Sequence, residues 1–467
     1  MLQLRPYQSE SVHNIRRSFV SFPKVLFALP TGGGKTVIFS YIVSNAILKN
    51  KKILILAHRV EIVEQISKAL IEFGINHGLL MPGEKQTYDD VQLGMVQTIA
   101  RRLHTIHPPD FIVIDEAHLA VAGTWLKVIA AFPDAKILGV TATPQRLDGK
   151  GLKLVFDDLV IGPTVRELIE GGYLSRFDLY APPTEIDLSG VKTQMGDYSV
   201  KQLEAVMDKA KITGNAVSHY QKYLNNQPAI AFCTTLKHAV HVMDQFRSSG
   251  IRSDIIHGKL NKFERSEKVR GLSNGDIQVL TSVEVVSEGF DLPVVSGAIL
   301  LRPTKSLTLY LQQVGRALRP KPNGGRAIIL DHVGNVHRHG MPDEDRAWSL
   351  EGKVKKTTRG PRQCSQCYRV FYSKPPCSDP ECPMDRDPVS KTAPKVVDGE
   401  LKAMQDPYSW AKGINIATAC GEEWKSLLHH AEGRYDRLKQ IQVLRGYKPQ
   451  WIRHQIGDHK SARWSNK

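Results

Sequence analysis

The sequence predicts an α/β protein with two tandem parallel-sheet domains, followed by a cysteine cluster and a small helical module. Short apolar runs rich in Val, Ile and Leu, such as residues 111–114, alternate with longer segments whose apolar residues recur at helical spacing. This alternation is typical of strands buried between helices in a doubly wound parallel sheet. It occurs twice, so we expect one such domain over residues 1–174 and a second over residues 175–350.

The composition indicates a globular chain with an excess of positive charge. Hydrophobic residues make up 41% and charged residues 24% of the 467 residues. No apolar run approaches the roughly 18 residues of a membrane helix and the N-terminus does not resemble a signal peptide, so we expect a cytoplasmic protein. The 63 Lys and Arg against 47 Asp and Glu give a net charge of +16, which favours a polyanionic partner such as nucleic acid.

The clearest site is a glycine-rich turn between the first predicted strand and the next helix. It consists of Thr31, Gly32, Gly33, Gly34, Lys35 and Thr36. Consecutive glycines let backbone N–H groups close around phosphate oxygens, and the helix N-terminus adds partial positive charge. Lys35 would then reach the β- and γ-phosphates of ATP, and the Thr36 hydroxyl would hold Mg²⁺. Leu29 replaces the first glycine of the strict G-x-x-x-x-G-K-[ST] pattern, so a plain turn followed by a surface lysine also fits.

Acidic and hydroxyl side chains follow two later apolar runs. Asp115 and Glu116 end the strand predicted at 111–114, where Asp115 would complete the Mg²⁺ shell and Glu116 would act as general base toward water. The alternative is an acidic pair that caps the following helix. Thr141 and Thr143 end the next strand, and their hydroxyls could join the acidic pair to a neighbouring domain.

Other polar residues also lie beside predicted strand ends or helix starts. Gln8 precedes the phosphate loop and could read an adenine edge, although such a Gln is often only solvated. Arg59 follows the second strand, and Thr98 lies in a strand-end segment that precedes Arg101 and Arg102. Sites of doubly wound sheets sit at the carboxyl ends of strands, so these segments either contact a nucleic-acid backbone or carry ordinary surface charge.

The first half of the chain resembles a superfamily 2 helicase of the DEAD/DEAH type. The resemblance rests on Leu-Arg-Pro-Tyr-Gln at 4–8, Pro-Thr-Gly-Gly-Gly-Lys-Thr at 30–36, Asp-Glu-Ala-His at 115–118 and Thr-Ala-Thr-Pro-Gln-Arg at 141–146. The missing first glycine is normal in that superfamily. The resemblance implies that Arg5 and Gln8 belong to the nucleotide site with the phosphate loop.

The second half begins with a helical segment over 165–172 that ends in glycine, followed by a predicted hinge within residues 175–200. Further strands are predicted at 229–234, 253–257, 277–281 and 298–301. Cys233 on the first of these is expected in the core. Arg316 and Arg319 stand at i and i+3 of a predicted helix and would act as arginine fingers if they face a nucleotide, or as ordinary surface arginines if they do not.

Two motifs in the second half extend the resemblance to about residue 335. They are Ser-Glu-Gly-Phe-Asp-Leu-Pro at 287–293 and Gln-x-x-Gly-Arg-x-x-Arg at 312–319, which are similar to the fifth and sixth helicase motifs. The resemblance implies nucleotide contacts for Gly289 and Asp291 at the ribose and for Gln312 at the γ-phosphate, with Arg316 and Arg319 as the fingers. It also implies that four residues contact the nucleic-acid backbone, namely Arg59, Thr98, Thr234 and Thr281.

Within the superfamily, the motifs look most like the XPB/RadD branch and especially the compact helicases of phages and prophages. This resemblance implies two RecA-like domains that clamp ATP and move along DNA, with 3′-to-5′ polarity as a hypothesis. It also implies the cytoplasm of a bacterial or phage-infected cell and a role in replication, recombination or repair. A single-strand-binding or replication protein is a candidate partner.

A cysteine cluster follows a basic linker, in a segment that we place at residues 351–392. Cys364 and Cys367 are separated by nine residues from the pair Cys377 and Cys382. Two close cysteine pairs suit a structural tetrahedral Zn²⁺ site, with an iron–sulfur cluster as the alternative and disulfides disfavoured in the cytoplasm. RadD-like helicases carry a comparable cluster.

Residues 393–467 are predicted to form a basic helical module. Aromatic residues are interleaved with the basic ones from Arg434 onward, which suits single-stranded nucleic acid. An amphipathic helix that buries Leu438, Ile441 and Leu444 explains the same stretch, and we expect a module that does both.

The sequence therefore predicts an ATP-dependent DNA helicase or translocase acting on single-stranded or forked DNA, with ATP, Mg²⁺ and Zn²⁺ as cofactors. One alternative is a translocase that moves on duplex DNA without unwinding it. A second is the motor subunit of a restriction complex, whose nuclease would be another chain. A third is a nucleotide-switched binding scaffold, against which the intact acidic pair and both arginines argue.

Overall fold

In the computed structural model, the frame of the chain is a pair of seven-stranded sheets. The structure describes residues 3–146, 148–182, 188, 190–194, 197–207, 210–283, 295–321, 324–352, 362–363, 370–371, 402–403, 421–431, 435–445 and 447. Residues 1–403 form one compact unit and residues 404–467 form another.

The first sheet is entirely parallel and carries helices on both faces. Its elements are α1 Pro6–Ser21, β1 Lys24–Ala28, α2 Lys35–Ile47, β2 Ile53–Ala57, α3 Val60–Glu72, β3 Gly78–Leu80, β4 Val91–Met95, α4 Val96–Arg101, β5 Phe111–Asp115, α5 Gly123–Ala131, β6 Lys136–Thr141, β7 Asp158–Ile161 and α6 Val165–Glu170. The strand order is β3-β4-β2-β5-β6-β1-β7. The carboxyl ends of β1, β5 and β6, which precede the motifs, therefore lie side by side.

Alternating side chains of each central strand enter two separate cores. Leu26 of β1 and Ile112 of β5 pack in the core that includes α4 and α5. Their neighbours Phe27 and Val113 pack in the core that includes α1, α2 and α3. Because successive side chains of a strand point to opposite faces, a strand covered on both faces must be apolar throughout, which is the pattern seen in the sequence.

The second sheet repeats this arrangement with one antiparallel edge strand. Its elements are β8 Phe177–Ala181, β9 Thr193–Gln194, β10 Asp197–Tyr198, α7 Val200–Met207, α8 Ala210–Tyr223, β11 Ala229–Phe232, α9 Leu236–Ser248, β12 Ser253–His257, α10 Lys262–Asn274, β13 Val279–Val283, β14 Gly297–Leu300, α11 Leu307–Ala317, β15 Ala327–Asp331, α12 Asn335–His339, β16 Arg362–Gln363, β17 Val370–Phe371 and β18 Lys402–Ala403. The strand order is β12-β13-β11-β14-β15-β8-β18, while β9 and β10, and separately β16 and β17, form antiparallel pairs outside it. Among the described strands of the second sheet, β18 alone runs antiparallel to its neighbour, β8.

The predicted strands of both halves are confirmed, but the hinge predicted within 175–200 is wrong at β8. Residues 177–181 pair in parallel with β15 and contribute buried Leu179 and Ala181 to the second sheet. Asp178 of β8 is held by the guanidinium of Arg326 at 2.7 Å. The polar residues in this strand obscured its apolar alternation, so the sequence read as a linker.

After α12 the chain returns to the first domain. The backbone N–H groups of Leu152 and Lys153 donate to the carbonyl of Leu350 at 2.8 and 3.1 Å. Leu350 also packs against the first-domain core that includes α4 and α5. The segment that leads out of the second sheet is therefore attached to the first domain, close to the loop that follows β6.

The second unit contains two helices in its described part, α13 Gly421–Ala431 and α14 Tyr435–Leu444. Leu438 and Ile441 of α14 are fully buried, as are Leu427 and Ala431 of α13. The predicted amphipathic helix is confirmed for these two α14 residues. In the part of the chain that the structure describes, we find no helix with the length and hydropathy needed to cross a bilayer.

Candidate active site

The phosphate loop predicted at residues 31–36 is a tight turn between β1 and α2. Gly34 caps α2 with a φ of 84°, a left-handed conformation that a residue with a Cβ adopts only with strain. Lys35 begins α2, and its Nζ donates to the carbonyl of Leu29 at 3.3 Å. Burial lowers the pKa of the Lys35 ammonium, and the nearby Glu116 carboxylate opposes that shift. The lysine is therefore within electrostatic reach of the acidic pair at the end of β5.

The two carboxylates have different environments. Burial, reinforced by the negative charge of Glu116, raises the pKa of Asp115 to about 6. Burial alone would raise the pKa of Glu116 too, but a hydrogen bond from His118 and nearby positive charge outweigh it and lower that pKa to about 2. Glu116 has a φ of 48°, a left-handed conformation that is unusual outside glycine and that is enriched at functional sites. Glu116 is thus ionised at neutral pH and can accept a proton or a hydrogen bond.

A chain of buried polar groups runs from the acidic pair to the second domain. His118 Nδ1 lies 3.3 Å from Glu116 Oε2 and 3.3 Å from Thr141 Oγ1. Thr141 Oγ1 donates to the Thr143 carbonyl at 3.0 Å, and Thr143 Oγ1 donates to Thr308 Oγ1 at 2.8 Å. The sequence-based expectation that these threonine hydroxyls join the acidic pair to another domain is confirmed. No separate role was predicted for His118, which belongs to the Asp-Glu-Ala-His motif, and Thr308 has no distinctive local pattern.

Helix α11 of the second domain approaches the phosphate loop directly. A Cβ placed on Gly315 would lie 2.7 Å from Thr31 Cβ, so only glycine permits this approach. The next residue, Arg316, is buried, and its charge lowers the pKa of Lys35. Gln312, one turn earlier, is also buried, and its Nε2 has no hydrogen-bond partner among the described residues. The helix therefore brings Arg316 and Gln312 toward the phosphate loop.

Arg319 does not share the helix with Arg316. Helix α11 ends at Ala317, and Arg319 lies two residues beyond it, partly exposed. Pro320 follows, and the residue before a proline is disfavoured in helical conformation. The prediction that one helix bears both arginines is therefore wrong, while the role of Arg319 remains a prediction.

The segment before the phosphate loop packs on it. Gln8 is buried, and its Oε1 accepts from the backbone N–H of Arg5 at 3.0 Å. Tyr7 Oη donates to the carbonyl of Gly33 at 2.8 Å. Tyr173, which was not singled out from the sequence, lies beside both Tyr7, with ring centroids 4.7 Å apart, and the Arg5 guanidinium at 5.1 Å. The aromatic rings of Tyr7 and Tyr173 and the amide of Gln8 therefore line one side of the phosphate loop.

The residues expected at a nucleic-acid backbone lie on one half of each sheet. Arg59 caps α3 after β2 and is partly exposed, with its Nε 3.3 Å from His58 Nε2. Thr98 in α4 and Thr234 after β11 are buried. Thr281 is the middle residue of β13 and donates its hydroxyl to the Asp254 carbonyl at 3.3 Å. Their contacts with nucleic acid remain predictions.

Several predicted site residues lie outside the described residues. They are Gly289 and Asp291 of the fifth motif and the cysteines Cys364, Cys367, Cys377 and Cys382. Across the described ranges, no group of three or more metal-ligating side chains comes together. Cys233, which is described, is a buried core thiol as expected.

Comparison with known proteins identifies the family. Residues 1–146 match the family described as the res subunit of type III restriction enzymes, and residues 209–321 match the helicase conserved C-terminal domain. A 51.5 kDa protein of Lactococcus phage (isolate 7-9) is 35% identical over 348 residues, which cover 73% of this chain and 74% of that protein. The chain belongs to helicase superfamily 2. Superfamily 2 members are ATP-dependent helicases and translocases, so the predicted family is confirmed.

Other relatives of this helicase point the same way. IRC3 of Saccharomyces cerevisiae, whose name describes an ATP-dependent helicase, is 30% identical over 71% of this chain, which spans about half (51%) of its length. The DNA 3′-5′ translocase XPB2 of Sulfurisphaera tokodaii is 23% identical over 71% of this chain and 82% of that protein. These relatives agree with the predicted branch.

A solved structure agrees with the fold. A fragment assigned to an HsdR subunit of a type I restriction enzyme from Vibrio vulnificus YJ016 superposes with a TM-score of 0.58 at 20% identity, covering 73% of this helicase and 66% of that chain. The prediction of two RecA-like parallel-sheet domains is thereby confirmed.

The observed residues fit ATP with Mg²⁺. Gly32 and Gly34 have the left-handed backbone conformation, with φ of 85° and 84°, and a glycine-rich turn at a helix N-terminus is suited to phosphate binding. Asp115 supplies a carboxylate and Thr36 a hydroxyl, the oxygen donors that Mg²⁺ prefers. The buried Nε2 of Gln312, which has no partner among the described residues, is a donor that a phosphate oxygen would satisfy.

Proposed function

We propose that this helicase is a DNA-stimulated ATPase that converts ATP hydrolysis between its two RecA-like domains into movement along DNA. The observation that carries the proposal is the approach of α11 to the phosphate loop, where Gly315 meets Thr31 and Arg316 influences Lys35. Residues of both domains contribute to one pocket, so hydrolysis can be coupled to their relative motion.

Within this site each residue has a proposed task. Lys35 and the loop backbone bind the β- and γ-phosphates, and Thr36 with Asp115 would hold Mg²⁺, which neutralises charge on the phosphates. Glu116, ionised at neutral pH, orients the attacking water and accepts its proton. Arg316 stabilises negative charge that develops on the transferred phosphoryl group.

Four further site residues complete the proposed nucleotide contacts. Gln312 and Arg319 would assist at the γ-phosphate, while Arg5 and Gln8 would recognise the base side of the nucleotide. Gln8 is held in place by the backbone N–H of Arg5, which supports a fixed orientation of its amide. The amide can then donate and accept together, as recognition of an adenine edge requires.

DNA is the proposed track. The net charge of +16 suits a polyanion, and XPB2 is named as a DNA translocase. Steady-state ATP hydrolysis should be measured alone and with single-stranded DNA, duplex DNA and single-stranded RNA, using Lys35→Ala as control. Strong stimulation by DNA with an inactive control supports the proposal, whereas equal low turnover with every nucleic acid would refute it.

Unwinding and polarity need a separate assay. We propose unwinding of tailed or forked duplexes with 3′-to-5′ polarity, and the alternative is translocation on duplex DNA without unwinding. Duplexes with a single 3′ or 5′ tail distinguish these cases. Unwinding of 5′-tailed substrates only would reverse the polarity, and triplex displacement without unwinding would favour the duplex translocase.

We also propose a Zn²⁺ knuckle and a phage-type role in replication, recombination or repair. The support is the sequence spacing, since two close cysteine pairs, Cys364 with Cys367 and Cys377 with Cys382, suit a structural zinc site. Elemental analysis should find about one zinc per chain, lost in Cys364→Ser. The phage relative supports the role, which loss of DNA replication on disruption of the gene would test.

A further inference from the structure

Phe263 is an exposed aromatic side chain that the fold does not explain. It lies in the first turn of α10 and is 70% exposed. Helix α10 is polar on almost every side, and Leu272 is its buried residue. Single exposed apolar residues are common, so exposure alone does not indicate a binding role for Phe263. Such a role depends on the position of Phe263.

That position is the junction between the two domains. Helix α10 follows the carboxyl end of β12, and its Lys262 Nζ lies 2.6 Å from Glu64 Oε1 of α3 in the first domain. Arg265 forms a second ion pair with Glu61 of α3, and its Nε also donates to the Leu260 carbonyl at 2.9 Å. The turn that carries Phe263 is therefore held against the start of α3 on both sides.

The junction adjoins the proposed nucleic-acid residues. Arg59 caps α3 two residues before Glu61. In the second sheet, β12 is next to β13, which carries Thr281, and β13 is next to β11, which Thr234 follows. A nucleic-acid strand that crosses the carboxyl ends of these β-strands would therefore pass the first turn of α10.

The charges beside Phe263 are already paired. Lys262 and Arg265 form ion pairs with carboxylates of the first domain, so a phosphate would have to compete with those carboxylates for either cation. The phenyl ring of Phe263 is instead exposed, and aromatic rings on nucleic-acid surfaces act by stacking on unpaired bases. Because bases of an intact duplex are already stacked on each other, such a contact selects a single strand.

We infer that Phe263 stacks on a base of the single strand of nucleic acid that crosses the carboxyl ends of the strands in both domains. This inference rests on the proposed function, and it adds a residue that recognises the strand form rather than the phosphate backbone. Stacking is independent of base identity, because every base has a π-face.

Binding of fluorescein-labelled oligo(dT) and of a labelled duplex of equal length tests the inference in Phe263→Ala, Phe263→Leu and Phe263→Trp. We expect Phe263→Ala and Phe263→Leu to weaken oligo(dT) binding by about fivefold to a hundredfold and to leave duplex binding nearly unchanged. Phe263→Trp should retain binding. The slope of log affinity against log salt should be the same in all variants, because no phosphate contact is removed.

Tyr88→Ala is the matched control, since Tyr88 is 79% exposed and precedes the amino end of β4, whereas the inference concerns the carboxyl ends of the strands. It should bind like the unaltered protein. If the unaltered protein binds no DNA, the proposed function fails. If it binds and Phe263→Ala or Phe263→Leu binds equally well, or if their salt slope falls, the stacking inference is overturned. Thermal unfolding of each variant excludes misfolding as the cause.

Discussion

Replacing Gly315 with alanine tests whether the contact between α11 and the phosphate loop sets the position of Arg316. The added Cβ would lie 2.7 Å from Thr31 Cβ and 3.0 Å from Thr31 Cγ2. Carbon atoms in ordinary contact are about 3.5–4.0 Å apart, so helix and loop must separate by about 1 Å. A misplacement of about 1 Å at a reacting centre can cost about a hundredfold in rate.

The assay is steady-state ATP hydrolysis at saturating single-stranded DNA. We expect kcat to fall by about a hundredfold with little change in KM for ATP, because Lys35 and the loop glycines belong to the first domain. Alanine is favoured over glycine inside a helix by about 0.5–1 kcal/mol, so a general loss of stability is not the expected cause. Gly123→Ala is the control, since a Cβ there meets no atom within 4 Å.

A double variant separates this explanation from others. If Gly315→Ala acts by displacing Arg316, adding it to Arg316→Ala should cause little further loss of kcat. If the kcat losses of the two single variants instead multiply in the double variant, Gly315→Ala acts independently of Arg316. A Gly315→Ala enzyme with kcat and KM within twofold of the unaltered protein would refute the positional argument.

Substitutions at three other positions, Glu116, Thr308 and His332, give further predictions. Glu116→Gln should lower kcat by about 10²–10⁴-fold while fluorescent ATP-analogue binding persists, and full turnover would contradict its role as base. Thr308→Val should lower DNA-stimulated kcat whereas Thr308→Ser retains it, because only serine keeps the hydroxyl to which Thr143 donates. Equal kcat values for the two variants would show that this hydrogen bond does not contribute to turnover. His332, the residue after β15, is buried near His219 of α8; burial first, and then the charge of His219, lower the pKa of His332 from 6.5 to about 3. The contribution of His332 to the free energy of unfolding is therefore fully present above pH 6.5 and is lost as the pH falls toward 3. Urea unfolding should show about 2 kcal/mol lost between pH 7 and 5, and His332→Asn should remove that dependence.

Much of the fold and the core of the site could be predicted from the sequence, because both depend on local requirements. A strand covered on both faces must be apolar throughout, so β1, β2, β5 and β6 could be predicted from their continuous apolar runs. A phosphate-binding turn requires small residues followed by Lys35, and a metal needs a carboxylate such as Asp115 beside it. The end of α11 before Arg319 is also encoded locally, since Pro320 disfavours a helical conformation at the residue before it.

Only the tertiary structure decided how distant segments meet. Strand β8 belongs to the second sheet because β15 and β18 flank it, although its own sequence reads as a linker. Position 315 must be glycine because a Cβ there would clash with Thr31, and Thr308 accepts a hydrogen bond from Thr143. No local sequence pattern connects the two residues of either pair. Propensity and periodicity act over a few residues, whereas these contacts form only when α11 of the second domain packs against the loops that follow β1 and β6 of the first.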